Sequence, residues 1–396
     1  PEKCVACGQC VETCPSGAVR LGQKLCTSAG PIEYPRHELP DDTKWGEDHW
    51  DKNYRDNIGS IQTYPTGTAP CKVSCPAHIA IQGYIKMASE GRYKDALKLI
   101  KKDNPFPAVC GSICRKYCED ACTRGSVDEP LSIDEIKKFI AEQDMKDEHR
   151  YIPPMNSCTM APFEQKIAII GAGPAGMSCA YFLAIEGYKP TVFEKEAAPG
   201  GMLVNGIPNF RVDKATVNSE IDVLREMGVE FRCGVEVGKD VTIAQLREEG
   251  YKAFYVAVGL QTASKLGIEG EDLKGVTGGL DLLRAVNRGE LTELKGDTIV
   301  IGGGNAAIDV ARTAVRLGGG SVSIYCLEKD EEMPTVPDEK NAGIADGVVI
   351  NNCWGPKRII GKNGKVTGVE FMRCTSVRDA SGKFAPKYDE NDTVTV

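Results

Sequence analysis

Eleven of the chain's 17 cysteines lie at or before Cys122, and the first four stand as Cys4-x2-Cys7-x2-Cys10-x3-Cys14-Pro15. At that spacing three thiolates wrap one face of a 4Fe-4S cubane, and the fourth, followed by proline, turns toward a neighbouring cluster. Such a segment is pinned by metal rather than by a large apolar core. Zinc sites favour separated ligand pairs over one compact run. Disulfides are the bland alternative, but no signal peptide precedes the run and its spacings are those of cluster ligands. Cys14 would ordinarily serve a second cluster; its other ligands then lie upstream of Pro1, or Cys14 or Cys26 closes a single site. Position 1 is Pro rather than Met, and the chain stops at Thr395-Val396 in what reads as a strand, so a fragment of a longer polypeptide is expected.

The 396 residues are enough for two to four domains. With 41% hydrophobic and 26% charged residues the composition is globular. No run of about 18 apolar residues offers a membrane span. A net charge of -8, without a basic stripe, argues against nucleic acid as a partner. Along the chain, 1–22 is the cysteine-rich segment and 23–66 an irregular linker with no sustained period. Residues 67–150 read as a small helical domain, with apolar positions such as Ala96, Leu97, Ile100 and Ile133, Ile136, Ile140 at helical spacing. Pro153-Pro154 opens a linker over 151–165. Beyond it, apolar strand-like runs alternate with Gly-rich turns and helices, the signature of parallel α/β sheets. Two such units, 166–285 and 286–396, are expected to be related nucleotide-binding folds.

The helical domain carries Cys71-x3-Cys75-Pro76 and then Cys110, Cys114, Cys118 and Cys122 at intervals of four. That spacing places thiols along one helical stripe or on successive turns of an irregular segment. Both groups are candidate metal ligands; buried free cysteines are the alternative.

The first Gly-rich motif is Lys166-Ile-Ala-Ile-Ile-Gly171-Ala-Gly173-Pro-Ala-Gly176, a strand running into G-x-G-x-x-G and a helix. Gly171 permits the tight turn, Gly173 lets backbone approach a pyrophosphate, and Gly176 permits close helix packing, with Pro174 and Ala175 at the helix N-terminus. Glu194, followed by Lys195, ends the next strand, where its carboxylate can accept from ribose hydroxyls. The second motif, Gly302-Gly303-Gly304-Asn305-Ala306-Ala307, repeats this logic after the strand Thr298-Ile-Val-Ile. Its following strand runs into Leu327-Glu328-Lys329. A carboxylate beside a 2'-phosphate costs about 4 kcal/mol per unit charge at roughly 4 Å and an effective dielectric of about 20. Glu328 can instead accept from a free 2'-hydroxyl, so NAD(H) is expected over NADP(H), with Lys329 keeping a cationic alternative open.

Ala69-Pro-Cys-Lys-Val-Ser-Cys-Pro, Asn104-Pro-Phe-Pro-Ala-Val-Cys-Gly, Cys118-Glu-Asp-Ala-Cys-Thr-Arg-Gly and Pro130-Leu-Ser-Ile resemble the cluster domain of the glutamate synthase small subunit. Dihydropyrimidine dehydrogenase and the large subunit of NADH-dependent ferredoxin:NADP oxidoreductase share that domain. The resemblance runs from about residue 60 to the C-terminus, behind a ferredoxin-type segment. It implies a multi-domain chain: a ferredoxin-like 4Fe-4S segment, an α-helical iron-sulfur domain, and two nested Rossmann-like domains, an FAD domain with an inserted NAD(P) domain. Pro199-Gly-Gly-Met-Leu and Gly206-Ile-Pro-Asn-Phe-Arg211 resemble the family's flavin-facing loops, which makes FAD the implied occupant of the first site. The resemblance assigns Gly201, Met202, Arg211 and Val237 to that site, with Gly259 closing the fold. A guanidinium such as that of Arg211 suits a pyrophosphate.

This sequence also departs from the family. Thr63 and Thr66 stand where a Cys pair is usual, and a Glu or Gln ligand of relatives aligns with Lys137. One four-cysteine cluster in this domain is therefore expected, on Cys75, Cys110, Cys114 and Cys118. Nothing matches the Gly-Asp motif that completes the family's FAD fold. His37, His49, His78 and His149 all lie outside the α/β part, and no Ser/His/Asp or Cys/His constellation adds substrate chemistry. The expected function is electron exchange between NAD(P)H and 4Fe-4S clusters through FAD, with ferredoxin or another subunit of a cytoplasmic, oxygen-sensitive complex as partner; bifurcation is one such setting. The rivals are a non-catalytic relay subunit and glutamate synthase proper.

Overall fold

The computed structural model describes residues 24–27, 30–33, 69–156 and 165–396. The N-terminal run Cys4, Cys7, Cys10, Cys14 lies outside the described residues. Within the stretch expected to be irregular, β1 (Lys24–Thr27) and β2 (Gly30–Glu33) pair antiparallel, Lys24 opposite Glu33. Contacts divide the chain into two units.

The first unit is helical. It contains α1 (Pro70–Ser74), α2 (Ile81–Ser89), α3 (Tyr93–Ile100), α4 (Pro107–Ile113), α5 (Tyr117–Asp120), a 3-10 turn at Thr123–Ser126, and α6 (Ile133–Met145). Pro70 and Pro107 occupy first-turn positions, where the missing N–H has no intrahelical partner to lose. Ile81 and Tyr84 of α2, Leu97 and Ile100 of α3, and Ile133 and Ile140 of α6 close one apolar core. Two later segments, Ser178–Pro190 and Ala215–Glu230, group with this unit. Arg150 donates to the Ser219 carbonyl at 2.5 Å, and Tyr181 donates to the Lys101 carbonyl at 2.8 Å.

The second unit holds three sheets. In the first, β3 (Lys166–Ile170), β4 (Pro190–Glu194), β5 (Glu230–Cys233) and β6 (Tyr251–Val256) lie in the order β5-β4-β3-β6. The apolar run of β3 is buried from Ile167 to Ile170, as a strand inside a covered sheet must be. In chain order, α7 (Pro174–Ile185) follows the first Gly-rich turn, α8 (Met202–Asn205) the Pro199 loop, α9 (Lys214–Glu226) precedes β5 and α10 (Ile243–Glu248) follows it; most of α7 and α9 falls in the segments that group with the first unit. In the second sheet, β7 (Thr298–Ile301), β8 (Val322–Tyr325) and β9 (Val349–Asn351) are parallel neighbours, Ile301 in register with Tyr325. Helices α11 (Gly279–Asn287), α12 (Asn305–Arg316) and α13 (Pro337–Ala345) accompany it. The third sheet is antiparallel: β10 (Trp354–Lys362), β11 (Lys365–Arg378) and β12 (Phe384–Thr395). Tyr325 stacks on Phe371 with centroids 4.2 Å apart, joining the second and third sheets in one core. Among the described residues no helix is long and apolar enough to cross a membrane.

Candidate functional site

The strand order puts the first Gly-rich turn at the mouth of its sheet. The end of β3 is held on both sides: Gly171 N–H donates to the Phe193 carbonyl, and Ala257 N–H donates to the Ile170 carbonyl, each at 2.8 Å. Gly171 takes φ +105°, a conformation that favours glycine, and a Cβ there would run into the Ala257 carbonyl. A Cβ on Gly176 would collide with the Gly171 carbonyl, and one on Gly201 would come within 2.7 Å of the Gly173 Cα. The backbones pack as tightly as the fingerprint requires.

Beside this turn is a cleft of about 300 Å³ lined by Gly171, Gly173, Pro174, Ala175, Glu194, Lys195, Gly201, Met202, Val237 and Gly259. That volume is at the lower end of ordinary ligand sites, about 300–1,000 Å³. Glu194 is 3% exposed and accepts from Ala172 N–H at 2.8 Å and Glu196 N–H at 3.0 Å. Each carboxylate oxygen keeps a second acceptor position. Gln261, not singled out from the sequence, also lines the cleft, and its Oε1 is buried without a protein partner. Its one signal in the sequence is a polar side chain just past the Gly259 turn. A Cβ-free cradle and an orphaned acceptor fit a dinucleotide.

Arg211 differs from expectation. It does not line the cleft; it pairs with Asp309 at 2.9 Å and Glu339 at 2.5 Å, with only 11% of its side chain exposed. Two carboxylates, from α12 and α13, are its partners in this structure. Burial still pushes the Asp309 carboxyl up to about 6, against the pull of Arg211.

The second turn is built likewise. Gly302 adopts φ +135°, and its N–H donates to the Tyr325 carbonyl at 2.9 Å. Gly303 faces Glu328: a Cβ on it would lie 2.8 Å from the Glu328 Oε2. Gly304 stands at the N-terminus of α12, which begins with Asn305 and the exposed Ala306. The Asn305 Oδ1 accepts from the Thr335 hydroxyl at 2.7 Å and Val336 N–H at 2.8 Å, tying the turn to the segment before α13.

The thiols of the first unit follow the irregular alternative rather than a single stripe. Cys71 lies in α1 and Cys110 in α4; Cys75 and Cys114 are the extended C-caps of those helices, and Lys116, at φ +65°, turns the chain into α5 with Cys118. Cys122 opens the 3-10 turn and packs on the core that includes Cys71. One cavity is lined by Cys75, Cys114, Cys118, Tyr84 and Lys137, with Cys110 outside its lining. Burial pushes the Cys118 thiol up to about 12 and Cys110 up to about 11. Burial opposes the Lys137 ammonium, but buried Asp134, 2.5 Å away, and neighbouring thiolates hold its pKa above the ordinary value. Soft donors converging on one cavity fit an iron-sulfur cluster. No three His, Cys, Asp or Glu among the described residues converge closely enough to hold a single metal ion.

Residues 165–369, about half the chain, match the family described as pyridine nucleotide-disulphide oxidoreductase. The chain belongs to that family. Its 64–149 segment matches the 4Fe-4S domain II of dihydropyrimidine dehydrogenase, and residues 1–20 match the 4Fe-4S binding domain. As a member of the pyridine nucleotide-disulphide oxidoreductase family, the chain is similar to the NADP(+)-dependent formate dehydrogenase subunit beta of Moorella thermoacetica, 36% identical over 81% of this chain and 48% of that one. It is 35% identical to the glutamate synthase [NADPH] small chain of Halomonas elongata, over 81% of this chain and 70% of that one. The NAD-dependent dihydropyrimidine dehydrogenase subunit PreT of Escherichia coli O157:H7 is 35% identical, over 80% and 77%. The chain spans about half the length of the first of these relatives.

Proposed function

We propose that the chain is a flavin-dependent iron-sulfur oxidoreductase module that moves electrons between NAD(P)H, NADH preferred, and 4Fe-4S clusters, with ferredoxin or a partner subunit beyond them. What carries this reading is the combination in one chain of two Gly-rich dinucleotide cradles and a thiol-lined cavity. FAD, when bound in the first cleft, supplies the conversion between hydride, a two-electron carrier, and clusters that take one electron at a time. The proposed boundaries are 1–22 and 67–150 for the cluster-bearing segments, 166–285 for FAD and 286–396 for the nicotinamide nucleotide.

The chain's own residues have separate tasks. Gly171 permits the tight turn, Gly173 lets backbone approach the pyrophosphate and Gly176 permits the close packing of α7, while Glu194 and Gln261 offer acceptors and Met202 and Val237 give apolar walls. Cys4, Cys7, Cys10 and Cys14 hold one cluster; Cys75, Cys114 and Cys118, with Cys110 one turn before Cys114, hold another. Cys71 and Cys122 remain as half of a site whose other members are replaced by Thr63 and Thr66. Glu328 accepts from a free ribose 2'-hydroxyl beside Gly303. The names of relatives include both NADP and NAD, so the family does not decide the nucleotide and Glu328 is the local determinant. Two relatives named above as subunits favour partner subunits for this chain too.

The test is an anaerobically purified full chain with matured iron. Flavin absorbance that NADH bleaches, followed by loss of iron-sulfur absorbance, is the expected result. A colourless protein, or one with zinc in place of iron, overturns the reading. The NADH preference alone is lost if NADPH gives an equal or higher kcat/KM.

A further inference from the structure

We propose that Lys137 is the charge partner of the cluster held by Cys75, Cys114 and Cys118, facing it as an unligated ammonium and raising its reduction potential. The inference rests on the cluster site proposed above and adds a role for a residue outside the thiol set.

Lys137 is 5% exposed and lines the same cavity as the three thiols. A buried lysine is costly unless paired. Its partner is Asp134, one turn earlier on α6, whose carboxylate is 1% exposed and 2.5 Å from Nζ. The pair is oriented, because Lys137 lines the cavity and Asp134 does not. Of the two, the residue that borders the thiol-lined cavity is the cation. Asp134 is fixed in turn by its own N–H, which donates to the Glu119 carboxylate on α5, next to Cys118, at 2.8 Å. One short network thus sets both the Cys118 turn and the ammonium.

An ammonium has three donor hydrogens and no free lone pair, so it serves as hydrogen-bond donor and charge but not as an iron ligand. Adding an electron adds negative charge to the cluster, and a cation in a low-dielectric site favours the reduced form.

An EPR-monitored redox titration of the full, iron-loaded chain tests this. The signal belonging to the site is first identified as the one lost in Cys118→Ser. In Lys137→Met, with iron content retained, its reduction equilibrium constant should fall at least tenfold, which is 59 mV for a one-electron couple. Lys137→Arg, which keeps the charge, should stay within a factor of three of wild type. An unchanged potential in Lys137→Met overturns the role. So does an altered cluster type or EPR line shape in Lys137→Met that Lys137→Arg fails to restore, because that marks ligation rather than charge. If no signal depends on Cys118 in the wild-type chain, the cluster site itself is wrong, an outcome distinct from either.

Discussion

At Glu328 a carboxylate oxygen stands 2.8 Å from where a side chain on Gly303 would begin, so a 2'-phosphate brought to this turn meets a negative charge at close range. In Glu328→Ala the ratio of kcat/KM for NADH over NADPH should drop at least tenfold, roughly 1.4 kcal/mol of discrimination. A ratio unmoved by the substitution would show that the preference is set elsewhere. The placement of Glu328 beside its turn was legible in the sequence because strand, turn and acid follow one another within about 30 positions. The pairing of Arg211 was not, because its carboxylates come from much later helices, Asp309 98 residues on and Glu339 further still. Gln261 is intermediate: its place after the Gly259 turn is local, but its unpartnered oxygen is a tertiary fact.

Single helices depend on distant partners in the same way. The first two free amides of α4, on Ala108 and Val109, donate to Glu220 of α9, each at 3.1 Å. Burial pushes that carboxyl above its usual range, while Lys101 and the two N–H groups pull it back. Glu220→Ala leaves both donors buried and unpaired, at a cost of roughly 1–3 kcal/mol for each. Chemical denaturation should show that loss, and Glu220→Gln, which keeps a single amide oxygen, about half of it. A midpoint shift worth less than about 0.5 kcal/mol in Glu220→Ala would remove this cap from the account. The cysteine intervals identified the thiol-bearing segments, since ligand spacing is written in the chain. Of the set expected to share one site, Cys75, Cys114 and Cys118 line one cavity and Cys110 does not; what no periodicity announces is the extended caps that place Cys75 and Cys114.

Across the whole chain, the proposed hydride chemistry and the proposed one-electron transport draw on different residues and so should separate. Cys118→Ser should lower iron by about four atoms per chain. NADH should still bleach the flavin, while the rate of ferredoxin reduction falls at least tenfold in an anaerobic stopped-flow assay. A ferredoxin rate that survives the loss of iron would place the outlet at the N-terminal cluster alone. The fold class was readable because two Gly-rich turns and a front-loaded cysteine set are both local signals. The grouping of Ser178–Pro190 and Ala215–Glu230 with the helical unit was not, because it follows from side chains that meet only after folding. That grouping has a bearing on how the protein is made. Glu220, which steadies the helix ahead of Cys114, lies 112 residues downstream of Ala108. At about 5–20 residues per second a ribosome takes roughly 6–22 seconds to bridge that interval. During it the first turn of the helix that ends at Cys114 has to wait for the carboxylate that caps it.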